Sequence, residues 1–344
     1  MSSTPNGIRA RRRTAIATTE RLVRLEPLSS ERALPLVARP EVDGVNLAAW
    51  AVANRDAVES ALHRDGGILF RGFGVRSAEV FQRFMVSMYT ELVAEHERSS
   101  PRSQVSGSVF TSTDHPADQS IFLHNEMSYS HRWPTRIAFC CLTAPAEGGA
   151  TPIASTREVL RLIDPAIRDL LVRRRVQYVR NYGGGFGLPW QTSFQTDDRA
   201  EVEAYCRASG LTAEWVGADR LRTRRVADPL VRHPVTGEEV WFNHATFFHV
   251  SSLEPALRAA LTAELAPEDL PTHTFYGDGS PIEPEVVDAL RDAYHRSTVA
   301  FPWQEGDVLV LDNMLAAHGR APFQGERKVV VSMARPMTEE QARA

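Results

Sequence analysis

Lysine is almost missing from this sequence: Lys328 is the single one, and arginine supplies the rest of the basic residues. No Gly-Lys-Ser or Gly-Lys-Thr occurs, which excludes a P-loop nucleotide-binding protein. A Schiff-base enzyme would have to use Lys328, which sits between Arg327 and Val329-Val330-Val331. Cysteine is scarce as well. Cys140, Cys141 and Cys206 make no even-numbered framework and no Cys-x-x-Cys pair, so a disulfide scaffold is excluded and a reducing compartment, the cytoplasm, is expected. No apolar run reaches the ~18 residues of a membrane span. Positive charge is not in excess: 39 Lys and Arg stand against 43 Asp and Glu, a net charge of -4, which argues against a nucleic-acid partner.

What is present is ordinary globular composition, 43% hydrophobic and 24% charged over 344 residues, without repeats or a low-complexity linker. Residues 1–20 are polar and arginine-rich, with no apolar core behind the arginines, and predict a frayed tail, with a transit peptide as the alternative, rather than a secretory signal. Residues 21–344 are expected to form a single domain. A helical pattern starts at Val45 and is broken by Gly66-Gly67, after which Ile68–Phe73 predicts a strand. Ser155 with Glu158 forms a capping box opening a helix towards Arg174, Ser251 with Glu254 a second box, and Pro284 starts a helix through Tyr294. Further strands are expected at Ile137–Cys141, Val176–Arg180, Val240–Phe242, Asp307–Leu311 and Lys328–Met333. Strands outnumber βαβ alternations, so the fold class is α+β with a mainly antiparallel core.

Eleven histidines are spread along the chain. His63, His233 and His295 read as structurally satisfied or solvated. His124 and Glu126 differ, because alternation over Ile121–Tyr129 puts positions i and i+2 on one strand face, where an imidazole and a carboxylate can grip a divalent ion. His318, expected at the turn end of the apolar strand 307–313, supplies a third ligand. Two histidines and one carboxylate are the facial triad of non-haem Fe(II) oxygenases, which keeps open positions for co-substrate and dioxygen. Arg327, at the start of the next strand, can fork the distal carboxylate of an oxo-acid. The same ligands also suit a zinc hydrolase with a metal-activated water, and a non-catalytic acid sensor could keep the fold.

These residues lie in segments that resemble the Fe(II)/2-oxoglutarate-dependent dioxygenases of the TauD/TfdA type: Asp-Gly-Gly-Ile-Leu-Phe-Arg-Gly-Phe (65–73), His-Asn-Glu-Met-Ser-Tyr (124–129), Gly-Gly-Ala-Thr-Pro (148–152), Gly-Asp-Val-Leu-Val-Leu-Asp-Asn-Met (306–314) and His-Gly-Arg-Ala-Pro-Phe-Gln-Gly-Glu-Arg (318–327). The resemblance covers about Asp65 to Met333. It implies a double-stranded β-helix (jelly-roll) core with surrounding helices, His124, Glu126 and His318 as iron ligands, Arg327 on the 2-oxoglutarate side chain and Thr151 assisting it. Fe(II), 2-oxoglutarate and O2 are the implied cofactor and co-substrates.

The departures are informative. Where the family often carries a second arginine for an anionic substrate, this chain has Val331, which argues against a sulfonate substrate held as in taurine dioxygenase. Glu126 stands where many relatives have Asp, and since it is neither Ala nor Gly the site has no vacancy for chloride. The segments Trp-Phe-Asn-His-Ala-Thr-Phe-Phe (241–248), Phe-Tyr-Gly-Asp-Gly (275–279) and Phe-Pro-Trp-Gln-Glu-Gly-Asp (301–307) are similar to the branch around the syringomycin-pathway aspartyl hydroxylase. That likeness implies hydroxylation, or with the same ligands desaturation or cyclisation, of an amino acid that is free or tethered to a carrier protein. Asn243, His244 and Arg335 are the substrate-contact candidates, with packing of His244 against Trp241 and Phe247 as the alternative; His249 reads as core. The glycines 183–185 suggest a lid-like loop or a surface turn, and Arg173–Arg175 and Arg220–Arg225 solvated faces or a dock for an acidic carrier.

Overall fold

The computed structural model describes residues 22–30, 32–93, 104–112, 115–184, 187–217 and 219–343; the expected tail, 1–20, lies outside the described residues. The strand Val308–Asp312 explains why several strands carry no alternating pattern. Val308 and Val310 pack with Ile68, Phe70, Ala138, Cys140 and Val330 against one face of a sheet, while Leu309 and Leu311 join Leu69, Ile137, Phe139 and Val331 on the other. Both faces are dry, so every position is apolar and the period-two signal disappears.

This strand lies inside an eight-stranded sheet ordered Val23–Ser29, Arg32–Pro40, Gly67–Phe70, Val308–Asp312, Arg132–Thr143, Lys328–Thr338, Val109–Thr111 and Gln104–Ser106. All of its pairs are antiparallel except Arg32–Pro40 with Gly67–Phe70. Helices Leu47–Ala53, Arg55–Asp65 and Ala78–Met88 cover its outer face through Trp50, Leu62, Phe81 and Met85. A second, four-stranded sheet runs Thr298–Val299, Ile153–Ser155, Ala316–Arg320, Ile121–His124. Ile153 and Ala316 of this sheet pack into the inner face of the large one. Its other face, through Leu123, Ala154 and Ala317, packs on helices Thr156–Leu162 and Pro284–Ser297. Two facing, mostly antiparallel sheets wrapped by helices are the α+β, double-stranded β-helix arrangement expected from the sequence.

Element boundaries differ in ways that local chemistry explains. The helix from Val45 is two helices, which meet at Asn54 and end on Gly66 in the left-handed conformation, φ +83°. Ser155 caps its helix as expected, but that helix stops at Leu162; Asp164 caps a separate helix, Pro165–Arg174. Ser251 caps nothing α-helical: 250–252 is a short 3-10 turn, and the following helix starts at Pro255, whose fixed φ suits a first turn. The Pro284 helix extends to Ser297. No described helix is long and apolar enough to cross a membrane.

Candidate functional site

His318 stands opposite His124 in the antiparallel pair formed by Ala316–Arg320 and Ile121–His124. It therefore lies within a strand of its own, not at the turn end of the preceding one. Asp312 to Leu315 make the turn between: the Asp312 side chain accepts from the backbone N–H groups of Met314 and Leu315. The two rings are 4.5 Å apart between centroids, and His318 Nε2 is 3.8 Å from Glu126 Oε2. One potential ligand atom from each of His124, Glu126 and His318 falls within 4.8 Å of the others.

Glu126 reaches this point differently from the expected shared strand face. The strand ends at His124, and residues 125–130 form turns in which Met127 takes a positive φ of 57°. The turn is held from outside by Asn313, whose Oδ1 accepts from Glu126 N at 2.8 Å and whose Nδ2 donates to Glu126 O at 2.9 Å. His124 Nδ1 lies 2.9 Å from the Phe122 carbonyl, which can only accept; the proton is thereby placed on Nδ1 and Nε2 is left as the electron-pair donor. Phe247 and Phe139 flank the His124 and His318 rings at 4.4 and 5.0 Å.

Beside the triad is a pocket walled by His124, His318, Thr151, Arg320, Arg327 and Val331. Arg327 Nε donates to Gly149 O at 2.9 Å, and its terminal nitrogens lie 3.5 Å from Ser112 Oγ and Thr151 Oγ1. Gly149 must be glycine here: its φ is +65°, and a Cβ would stand 2.6 Å from Pro145 Cγ. Trp303 Nε1 donates to Thr151 Oγ1 at 3.1 Å, and the loop carrying Trp303 is anchored where Arg71 forks the buried Asp307 carboxylate at 2.6 Å. Burial, then the charge of Arg320, brings the Arg327 guanidinium down to about 10, which still leaves it cationic at neutral pH.

A cavity of about 310 Å³ opens on the other side of His124 and Glu126, between His244, Phe122, Phe247 and Phe248, with Glu254 also in its lining. His244 Nδ1 is 2.6 Å from Ser128 Oγ, and its backbone N–H donates to Tyr178 OH. Burial and the neighbouring His124 hold this imidazole well below its usual pKa. The other two substrate candidates are placed elsewhere. Asn243 spends both ends of its amide on Pro229 O and Ala245 N, building the turn that carries His244. Arg335 pairs with Glu59 at 2.7 Å and lies over the Tyr89 ring, lining neither cavity.

Other expectations need correction. Arg222 and Arg225 are buried, bound to Asp269 and Glu339, and Arg224 pairs with Glu214 at 2.7 Å, so this arginine run is neither a solvated face nor a free dock. Arg174 and Arg175 pair with Asp278 and Asp228. Gly185 of the suggested lid lies outside the described residues. His249 is buried against His273, and His63 and His233 are structurally satisfied, as read. His63, His233 and Asp312 are close enough to suggest a second metal cluster. Arg136 fills that space, 2.6 Å from Asp312 Oδ2 and 2.8 Å from His63 Nε2, so the electron pairs a metal would use are already committed. Asn313, Trp303, Ser128 and Arg320 were not picked out from the sequence. Asn313 and Arg320 lie inside recognisable motifs, but their partners are remote in the chain.

Comparison with known proteins identifies the family. Residues 26–333 match the family described as Taurine catabolism dioxygenase TauD, TfdA family. The chain is 40% identical to the dapdiamide synthesis protein DdaC of Enterobacter agglomerans over 280 residues, 81% of this chain and 85% of that one. It is 31% identical to a clavaminate synthase-like protein of Arabidopsis thaliana over 287 residues, 80% and 83% of the two chains. Among solved structures, PvcB of Pseudomonas aeruginosa, an Fe, alpha-ketoglutarate-dependent oxygenase from an isonitrile synthetic pathway, superposes with a TM-score of 0.56 at 18% identity, covering 93% of this chain and 94% of that one. A taurine dioxygenase from Burkholderia xenovorans gives a TM-score of 0.53 at 16% identity over 93% and 92%. The chain belongs to the TauD/TfdA family and is an Fe(II)/2-oxoglutarate-dependent dioxygenase.

Proposed function

We propose that His124, Glu126 and His318 hold the Fe(II), and that Arg327 and Thr151 hold the distal carboxylate of 2-oxoglutarate. The supporting observation is the strand register that sets His318 against His124, with three donor atoms within 4.8 Å. Two neutral imidazoles and one carboxylate suit a ferrous ion that must keep positions open, and a half-buried cation with only neutral protein partners among the described residues suits an incoming carboxylate. Bound there, the ferrous ion and 2-oxoglutarate supply dioxygen activation at the expense of decarboxylation to succinate and CO2, and with it the power to oxidise an unactivated C–H bond.

The chain's own residues do the rest. Phe139, Phe247 and Phe248 keep bulk water from the reacting centre, and His124 is fixed in one tautomer by Phe122 O. His244, neutral and oriented by Ser128, faces the larger cavity as a hydrogen-bonding group for substrate.

The substrate we propose is an amino acid or a derivative of one, free or tethered to a carrier protein, hydroxylated in natural-product biosynthesis by a cytoplasmic, single-domain enzyme. The 40% identity to a dapdiamide synthesis protein supports this, as does a cavity of amino-acid size. The test is incubation with Fe(II), 2-oxoglutarate, oxygen and a panel of free and carrier-loaded amino acids. The expected result is a product heavier by one oxygen atom, formed one-for-one with succinate. Loss of two hydrogens instead would replace hydroxylation by desaturation or cyclisation.

A further inference from the structure

Arg320 is a buried arginine with no carboxylate partner among the described residues, and it lines the same pocket as Arg327. It lies two positions beyond His318 on one strand, so its side chain leaves the same face. One terminal nitrogen donates to His115 O at 2.9 Å; the other donates to Pro116 O and, at 2.8 Å, to Gln119 O. That leaves Arg320 Nε buried and without a hydrogen-bond partner among the described residues. Arg320 and Arg327 both lie over the Phe323 ring, their guanidinium carbons 5.3 and 5.6 Å from its centroid. Among the described residues the protein partners of both are neutral: carbonyls and hydroxyls.

Two cations in one largely buried pocket repel each other and are costly to desolvate unless an anion joins them. A dianion would complete the charge. The backbone clamped by Arg320 is also not neutral ground: His115, Gln119 and Ser120 line the larger cavity on the other side of the triad.

We infer that Arg320 is a second cationic contact for 2-oxoglutarate and that, by holding residues 115–119, it links co-substrate binding to the wall of the substrate cavity. The inference rests on the reading of the Arg327 pocket as the 2-oxoglutarate site. Arg320 thus acts on the substrate side as a positioning residue: co-substrate in place fixes its guanidinium, and the fixed guanidinium orders the segment. A merely structural Arg320 would hold the segment equally with or without 2-oxoglutarate.

The test is anaerobic titration of the Fe(II)-loaded protein with 2-oxoglutarate, followed by its visible absorption, together with backbone hydrogen exchange of residues 115–120. In the wild type, 2-oxoglutarate should slow exchange in this segment. R320Q should weaken 2-oxoglutarate about tenfold or more, the scale of a lost charge-assisted bond, with Fe(II) affinity unchanged and no slowing of exchange. R320K keeps the charge but cannot reproduce the three-carbonyl fork, so it should retain most of the affinity and still lose the exchange response. A folded R320Q with wild-type 2-oxoglutarate affinity, or an exchange response preserved in both variants, overturns the inference. R327Q separates the two ideas: if it binds 2-oxoglutarate like the wild type, the pocket assignment itself fails.

Discussion

The side-chain amide of Asn313 grips the backbone of Glu126 on both sides, Oδ1 accepting from its N–H at 2.8 Å and Nδ2 donating to its carbonyl at 2.9 Å. Nδ2 also reaches Pro134 O at 2.8 Å, and Asn125 Nδ2 donates back to Asn313 O at 2.6 Å. A turn outside any ladder is in this way given the rigidity of a strand pair, and the Glu126 carboxylate is aimed at the two histidines.

Replacing Asn313 should therefore act on the metal before it acts on the fold. N313A leaves the Glu126 N–H and carbonyl buried without their partners, a cost of about 1–3 kcal/mol for each unsatisfied group. Fe(II) affinity, measured by anaerobic titration, should fall by ~10–100-fold, as for other outer-shell partners of metal ligands. Unchanged affinity would mean that the turn holds itself.

Trp303 and Thr151 should behave as one unit. Trp303 Nε1 donates to Thr151 Oγ1, so the hydroxyl hydrogen is free to point elsewhere, with Arg327 NH2 3.5 Å from the same oxygen. T151V should raise the KM for 2-oxoglutarate with little change in kcat, and W303F should do the same more weakly. A double variant no worse than T151V alone is expected, because the two substitutions remove one connected interaction. Independent, multiplying effects would separate them.

Asp312 carries the acid sensitivity of the core behind the site. Burial alone would raise its carboxyl, but the charge of Arg136 and the bond from His233 override that and hold it below the ordinary value. A carboxyl depressed in the folded state contributes stability at pH above its unfolded value of about 3.9, and that contribution is lost as pH falls through the folded value. D312N should melt at a lower temperature at pH 7, since it takes from the buried Arg136 one of its two carboxylate partners, leaving Glu59 alone. Its melting temperature should then fall less steeply than the wild type's below about pH 4. Parallel curves would assign the acid sensitivity to other groups.

Arg335 and His244, two substrate candidates from the sequence, should now part company. R335Q loses its pairing with Glu59 outside both cavities and should leave substrate kinetics unchanged. H244A should raise the KM for substrate while leaving 2-oxoglutarate binding intact, and S128A, which removes the group that orients His244, should do the same more weakly. An R335Q variant with impaired substrate binding would contradict this placement.

What the sequence disclosed was the linear part of the site. His124-x-Glu126, the His318 segment and Arg327 are spaced by local geometry, and their motifs can be recognised without a fold. The apolar strands were also found, although burial of both faces removed their alternation. What stayed hidden is held by contacts between distant residues: Asn313 with Glu126, Ser128 with His244, Arg320 with the 115–119 backbone. Arg222 and Arg225 were misjudged for the same reason. Charged residues on a strand look solvent-facing until the partners Asp269 and Glu339 are seen. Glu126 was singled out on a strand-face geometry, whereas a turn delivers it to the two histidines.

The account stands on three side chains converging on one ferrous ion beside a co-substrate pocket. The most direct measurement is anaerobic addition of Fe(II) and then 2-oxoglutarate to the wild type, H318A and E126A, recording the visible charge-transfer absorption of the chelate. The wild type should develop the band, and on admission of oxygen lose it with formation of succinate; both variants should fail to develop it at the same concentrations. A band of wild-type intensity and affinity in H318A would contradict the triad.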